Sequence, residues 1–223
     1  MMSSLFSIFD PSTPPLFKMN WLSITIPVIL IPLQFWLTNS TMSKLPNLVF
    51  QKLHQEMKTL SSTSFSKGTT MILISIFSFI LFNNLMGLLP FIFTATSHLV
   101  VALSMALPFW VTFMLYGWIN NSIHMFSHLI PLGTPPPLAI FMVCVETISN
   151  LIRPITLSVR LTANMIAGHL ILTLLSNCFS LTLHKIPPIM APELLLISLE
   201  TAVAVIQAYV FTILLCLYAS EIH

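Results

Sequence analysis

Six ionisable residues stand inside long apolar runs in the second half of this 223-residue sequence: Glu146, Arg153, Arg160, His169, Glu193 and Glu200. An ionisable side chain within a membrane-length apolar segment costs about 2.5–3.5 kcal/mol on insertion scales, so such groups mark function before they mark structure. Their types divide the work. A guanidinium does not give up its proton, so Arg153 and Arg160 are fixed cations, whereas carboxylates and imidazoles exchange protons. Along a helix rising 1.5 Å per residue, Glu146 lies about 21 Å before Arg160 and His169 about 13 Å after it. One helix therefore sets an exchangeable group on either side of a permanent cation, the layout of a proton path with a block in the middle.

Spacing supports a shared face. At 100° per residue, with Glu146 at zero, Asn150 falls near about 40°, Arg153 near about −20°, Arg160 near about −40°, Asn164 near about 0° and Gly168 near about 40°. His169 lies near about 140°, with Ser158, Thr162 and Ser176 within roughly 20° of it, so a second polar face carries the histidine and hydroxyls. Glu193, Glu200 and Gln207 follow one another at seven-residue intervals, with Ala204 and Phe211 on the same stripe. A seven-residue repeat keeps one face toward a neighbour. Asn164, Ala167 and Gly168 are small enough near Arg160 to let another helix approach closely. Structural readings compete for several of these positions: Glu146 as a helix-start interface residue, Arg153 as a charge paired with Glu146 or snorkelling, Glu193 as a dipole partner and His169 as an interhelical hydrogen-bonder.

The elements that hold these residues follow from composition. The chain is 56% hydrophobic and 6% charged, against roughly 25% charged in soluble domains, which predicts an all-α integral membrane protein organised as a single membrane domain over 1–223. A formal charge of +2 argues against nucleic acid or an acidic substrate. Cys144, Cys178 and Cys216 stand singly in apolar runs, which disfavours disulfide or metal chemistry, and His124 with His128 at i, i+4 lacks a clear third ligand. No cofactor and no metal are expected. Asp10 and the prolines after it interrupt the first apolar run, so the start does not read as a cleavable signal.

About five membrane-embedded helices and one surface helix are expected. Residues 1–40 hold an N-terminal segment and a first span from Trp21 to Trp36, bent by Pro27 and Pro32. Residues 41–70 carry Lys44, Lys52, Lys58 and Lys67 around an apolar stripe of Leu45, Val49, Leu53, Met57 and Leu60, the pattern of an amphipathic helix on the membrane surface. Its lysines put it on the matrix or cytoplasmic side and the N-terminus opposite. Residues 71–119 hold spans from Met71 to Phe93 and Leu99 to Ile119, and 120–137 connect them onward to a proline run. In 138–223, the stretch Leu138–Phe179 is too long for an upright crossing of a core about 30 Å thick. Two crossings with a turn at Arg153-Pro154 would leave backbone unsatisfied in lipid, which favours one long, strongly tilted helix. Residues Pro188–Ser220 pack back against it, with a turn over Asn177–Pro188.

Ser158-Val159-Arg160-Leu161-Thr162-Ala163-Asn164-Met165-Ile166-Ala167-Gly168-His169-Leu170 resembles the signature of the subunit a family of F-type ATP synthases, in its mitochondrial form. Leu199 to Phe211, Asn83 to Pro90 and Glu146 to Ser149 resemble the same family, and the likeness is firmest from Asn83 onward. It implies a rotary proton channel: two offset half-channels, a rotating c-ring whose carboxylate carries the proton, and a long tilted hairpin against that ring. It further implies that Arg160 is the essential arginine facing the ring, that His169 and Glu200 belong to the intermembrane-space half-channel, that Glu146 belongs to the matrix one, and that Asn164 and Gln207 support the arginine. Bacterial members carry the acid and imidazole of the His169 and Glu200 positions the other way round, so the pair acts as a unit. Arg153 and Glu193 receive no role from the resemblance. The implied partners are the c-ring, the peripheral stalk and other Fo subunits, including subunit 8 and b, and membrane lipid. The implied location is the mitochondrial inner membrane, with the N-terminus in the intermembrane space and the C-terminus in the matrix. A secondary transporter with a midplane anion site at Arg153 and Arg160 is the runner-up, though neither inverted repeats nor broken helices are found. A structural membrane subunit, its charges serving as helix–helix glue, is the third reading.

Overall fold

A computed structural model describes residues 6, 9–12, 19–30, 41–60, 68–89, 92–130, 135–180 and 186–222. Every regular element among these is helical: α1 (Ile26–Leu30), α2 (Thr41–Leu60), α3 (Thr69–Gly87), α4 (Leu99–Asn120), α5 (Ser122–His128), α6 (Pro136–Ser180) and α7 (Ile186–Ile222), with 3-10 turns at Met19–Ile24 and Ala95–Ser97. In the order of the chain, α3, α4, α6 and α7 are long and apolar enough to cross a membrane. Their outer faces carry exposed Ile140, Phe141, Leu194 and Leu195, the inverse of a water-soluble surface. The chain is an all-α membrane protein. The expected first span is described only through Leu30; residues 31–36 lie outside the described part, as do residues 181–185 of the expected turn Asn177–Pro188.

Helix boundaries follow local chemistry. Pro136 opens α6, where its missing N–H costs nothing and its fixed φ suits the first turn. Beyond it the helix runs unbroken through Pro154 for 45 residues, about 68 Å at 1.5 Å per residue. Of the two geometries open to Leu138–Phe179, the single helix is the one observed. α6 extends to Ser180 and α7 starts at Ile186, so helix covers both ends of the stretch Asn177–Pro188 expected to turn. Thr69 and Thr70 open α3 rather than closing the lysine-rich stretch, and the expected connection 120–137 contains α5.

Packing is close because the contact residues are small. Ala102 and Ala106 on α4, and Ala204 and Ala208 on α7, are almost fully buried at four-residue spacing. Such pairs let helix backbones meet where lipid offers no hydrophobic drive to association. α3 lies against α7, and α4 against α6. The common core joins Ile76, Phe77 and Ile80 of α3, Leu157 and Leu161 of α6, and Phe211 and Leu215 of α7. Leu53 and Met57 dock α2 onto this core, while Leu45 and Val49 stay exposed. Two polar links hold α2 against α7: Tyr209 donates to Glu56 Oε2 at 3.2 Å, and the Cys216 thiol points at the Met57 carbonyl at 3.8 Å. Trp21, Phe93 and His98 stack together and pin the N-terminal turn to the segment between α3 and α4.

Candidate functional site

α6 and α7 run antiparallel, and three contacts set their register. Arg153 meets Tyr218, Asn164 meets Gln207, and Gly168 meets Glu200. The polar residues of the two helices thus face one another at three levels, with Arg160 between the first and the second.

At one end, Gly168 makes room for a carboxyl group. A Cβ at Gly168 would lie 2.7 Å from Glu200 Cδ and 3.1 Å from its Cγ, so the Glu200 side chain would have to shift to admit it. The missing side chain is what admits Glu200, which is only 7% exposed. Glu200 Oε1 and the neighbouring His169 Nε2 are both buried and form no hydrogen bond with the described residues. His169 is half-buried, and the ring of Phe9 sits edge-on to it at 6.3 Å between centroids. Glu193 is half-buried two helical turns before Glu200.

In the middle, Asn164 Nδ2 donates to Gln207 Oε1 at 3.0 Å, which leaves Gln207 Nε2 buried and unbonded among the described residues. Leu157 and Leu161, about 60° and 100° around the helix from Arg160, are buried. Arg160 is exposed, as are Thr156, Ala163, Asn164 and Ala167 around it. Among the described residues the only ion pair is the one between Glu146 and Arg153, so no described carboxylate neutralises Arg160.

At the other end, Arg153 Nη2 and Glu146 Oε1 are 3.9 Å apart, both partly exposed, and the Arg153 guanidinium lies 5.0 Å from the Tyr218 ring centre. A loose, exposed pair of this kind contributes little on its own. The pair faces a cavity of about 450 Å³ walled by Trp110, Trp118, Asn150 and Tyr218.

The second polar face of α6 changes meaning in three dimensions. Ser158 and Thr162 are buried, but their hydroxyls bond back to the carbonyls of Ile155 and Val159 at 2.9 and 3.0 Å. Such back-bonding satisfies a hydroxyl within its own helix, so these two do not extend toward His169 as a chain. Conversely, Asn84 of α3 is completely buried with neither Nδ2 nor Oδ1 bonded to a described residue, while Asn83 beside it donates to the Phe79 carbonyl. Tyr218 and Phe9 also touch site residues without any sequence spacing to announce them.

Comparison with known proteins covers the same helices. Residues 19–220 match the family described as ATP synthase A chain. The chain is 54% identical over 226 residues to ATP synthase subunit a of Anopheles quadrimaculatus, 54% over 224 to that of Drosophila melanogaster and 56% over 226 to that of Locusta migratoria, with 100% of both partners covered in each case. The match spans every helix that carries the polar residues described above, and the chain belongs to the ATP synthase subunit a family.

Proposed function

We propose that this chain is the proton-conducting stator subunit of the Fo sector of a mitochondrial ATP synthase, with Arg160 facing the rotating c-ring between two offset half-channels. The observation that carries the reading is the exposure of Arg160 on a face of short side chains, with no described carboxylate beside it. A cation in that position, on a helix otherwise apolar toward the outside, needs an anion from another chain. A ring carboxylate sweeping past supplies one, and Thr156, Ala163 and Ala167 allow the close approach.

Proton exchange then divides between the two ends. Glu200 and His169 take up protons from the intermembrane space and deliver them to the ring carboxylate, which crosses the lipid neutral. On the other side Glu146 receives the released proton toward the matrix, with the cavity beside it as the way out. Buried polar atoms without partners cost about 1–3 kcal/mol each. Asn84, Glu200, His169 and Gln207 together carry five such atoms, which supports a hydrated route rather than a dry helix interface. Arg160 stays charged throughout and keeps protons from passing straight between the ends. Gln207 and Asn164 hold the helices in register there.

The lengths of α6 and α7 support a strong tilt along the ring, since either helix standing upright would overshoot a core about 30 Å thick. The chain is placed in the mitochondrial inner membrane, N-terminus toward the intermembrane space and C-terminus toward the matrix, with subunit 8, b and the peripheral stalk as neighbours. No metal or cofactor enters the scheme.

The test is Arg160→Ala in the assembled complex. Proton-driven ATP synthesis is lost while the complex still assembles; retained coupled synthesis overturns the proposal. Glu200→Leu slows proton flux, and unchanged flux removes that residue from the path.

A further inference from the structure

The N-terminal residues come back over the proton-exchanging end of the molecule. Phe9 sets its ring against His169 at an interplanar angle of 79°. Asp10 follows directly, and its Oδ1 accepts the backbone N–H of Ser12 at 3.0 Å, closing a short turn with the carboxylate exposed. That backbone hydrogen bond, with help from the Ser12 hydroxyl, holds the Asp10 carboxyl below its ordinary range, so it stays ionised. Among the described residues, the other titratable groups of this end are His169 on α6, Glu193 and Glu200 on α7, and His98 ahead of α4. Asp10 is the exposed acid among those described there.

We infer that residues Phe9–Ser12 form the outer lip of the intermembrane-space half-channel, and that Asp10 is a fixed carboxylate that gathers protons for His169. The inference rests on the half-channel reading above. Phe9 supplies the aim: an apolar ring against the imidazole fixes the turn, and the turn fixes the charge beside the channel mouth. Asp10 is a positioning residue that acts through His169 and not a carrier, because a group that stays ionised does not relay protons. An exposed charge raises the local concentration of counter-ions, and salt screens the effect. At roughly 8 Å in water one unit charge enriches protons about two- to threefold, and the gain disappears once the Debye length shrinks to a few ångströms.

The experiment uses the whole complex, reconstituted in vesicles and driven at constant proton-motive force, with the intake side weakly buffered at about pH 8 or about pH 6, in about 10 mM or about 1 M salt. Asp10→Asn is expected to lower the rate of ATP synthesis about two- to threefold at the higher pH in low salt, and Asp10→Lys about fivefold, with both matching the parent in high salt or at the lower pH. Phe9→Ala, which keeps the carboxylate but releases the turn, follows Asp10→Asn. Parental rates for both Asp10 variants in every condition overturn the inference, and so does a loss that salt leaves unchanged. Glu200→Leu serves as the separate control: if it conducts at the parental rate, the half-channel reading itself fails, whereas an inactive Glu200→Leu beside unaffected Asp10 variants sinks this inference alone.

Discussion

Gly168→Ala is the smallest change that reaches the proposed proton path without removing a polar group. The added methyl carbon would stand 2.7 Å from Glu200 Cδ and 3.1 Å from Cγ, where ordinary contact begins near 3.4 Å. These atoms belong to a flexible side chain, so α6 and α7 keep their packing and the Glu200 carboxyl retreats by about 1 Å, at about 0.5–1.5 kcal/mol for leaving its rotamer well. A cost of 1.4 kcal/mol is tenfold in rate, and a displacement of about 1 Å from a transfer geometry can add a further tenfold. The expected result is a ten- to hundredfold fall in proton-driven ATP synthesis, with parental amounts of assembled complex on native gels. A companion variant separates sterics from other causes. Combining Gly168→Ala with Glu200→Asp withdraws the carboxyl by one methylene, so the double variant runs faster than Gly168→Ala alone. A parental rate for Gly168→Ala refutes the argument that the position of the Glu200 carboxyl limits transfer, and a double variant no faster than the single refutes the steric cause.

Two further outcomes follow from the α6–α7 register. Asn164→Ala and Gln207→Ala share one hydrogen bond, so a double-mutant cycle on synthesis rate returns about 1 kcal/mol of coupling, and additive effects would mean that the bond does not matter to transfer. Tyr218→Leu removes the ring under Arg153, worth about 0.5–2 kcal/mol, and lowers the thermal midpoint of the complex, while Tyr218→Phe keeps the ring and the midpoint; equal losses from both would assign the role to the hydroxyl instead.

The polar stripe of α6 was legible because helical periodicity is rigid: Arg160 and Asn164 share an exposed face as the wheel placed them, and Glu200, Ala204, Gln207 and Phe211 share a buried one. The spans of α3, α4, α6 and α7 were legible from apolar runs, and the start of α6 from its prolines. Pro154 was ambiguous, because a proline in an apolar run is compatible with a turn or with a helix whose freed carbonyl is satisfied by its surroundings. Partners across helices were not legible. Nothing in 65 residues of sequence ties Arg153 to Tyr218, and nothing distinguishes Asn83 from Asn84. One turns back to its own helix and the other is sealed inside, a difference of a single residue's rotation that only the neighbouring helix decides. The wheel put Ser158 and Thr162 on a polar face with His169, but it could not show that their hydroxyls are satisfied by their own helix.

The contrast between Arg160 and Glu200 carries the functional argument furthest. Both are costly in an apolar setting, and the chain treats them oppositely. Glu200 is drawn inside, into space that Gly168 vacates. Arg160 is left exposed, and the register of α6 against α7 sets it about two helical turns, roughly 12 Å, from the level of Glu200. Pairing them would not by itself have stabilised the fold, since burying two charges costs hydration that their attraction does not reliably return. Keeping them apart leaves the cation available to a carboxylate from outside and the acid available to a proton, which is the separation that a channel opening onto a moving partner requires.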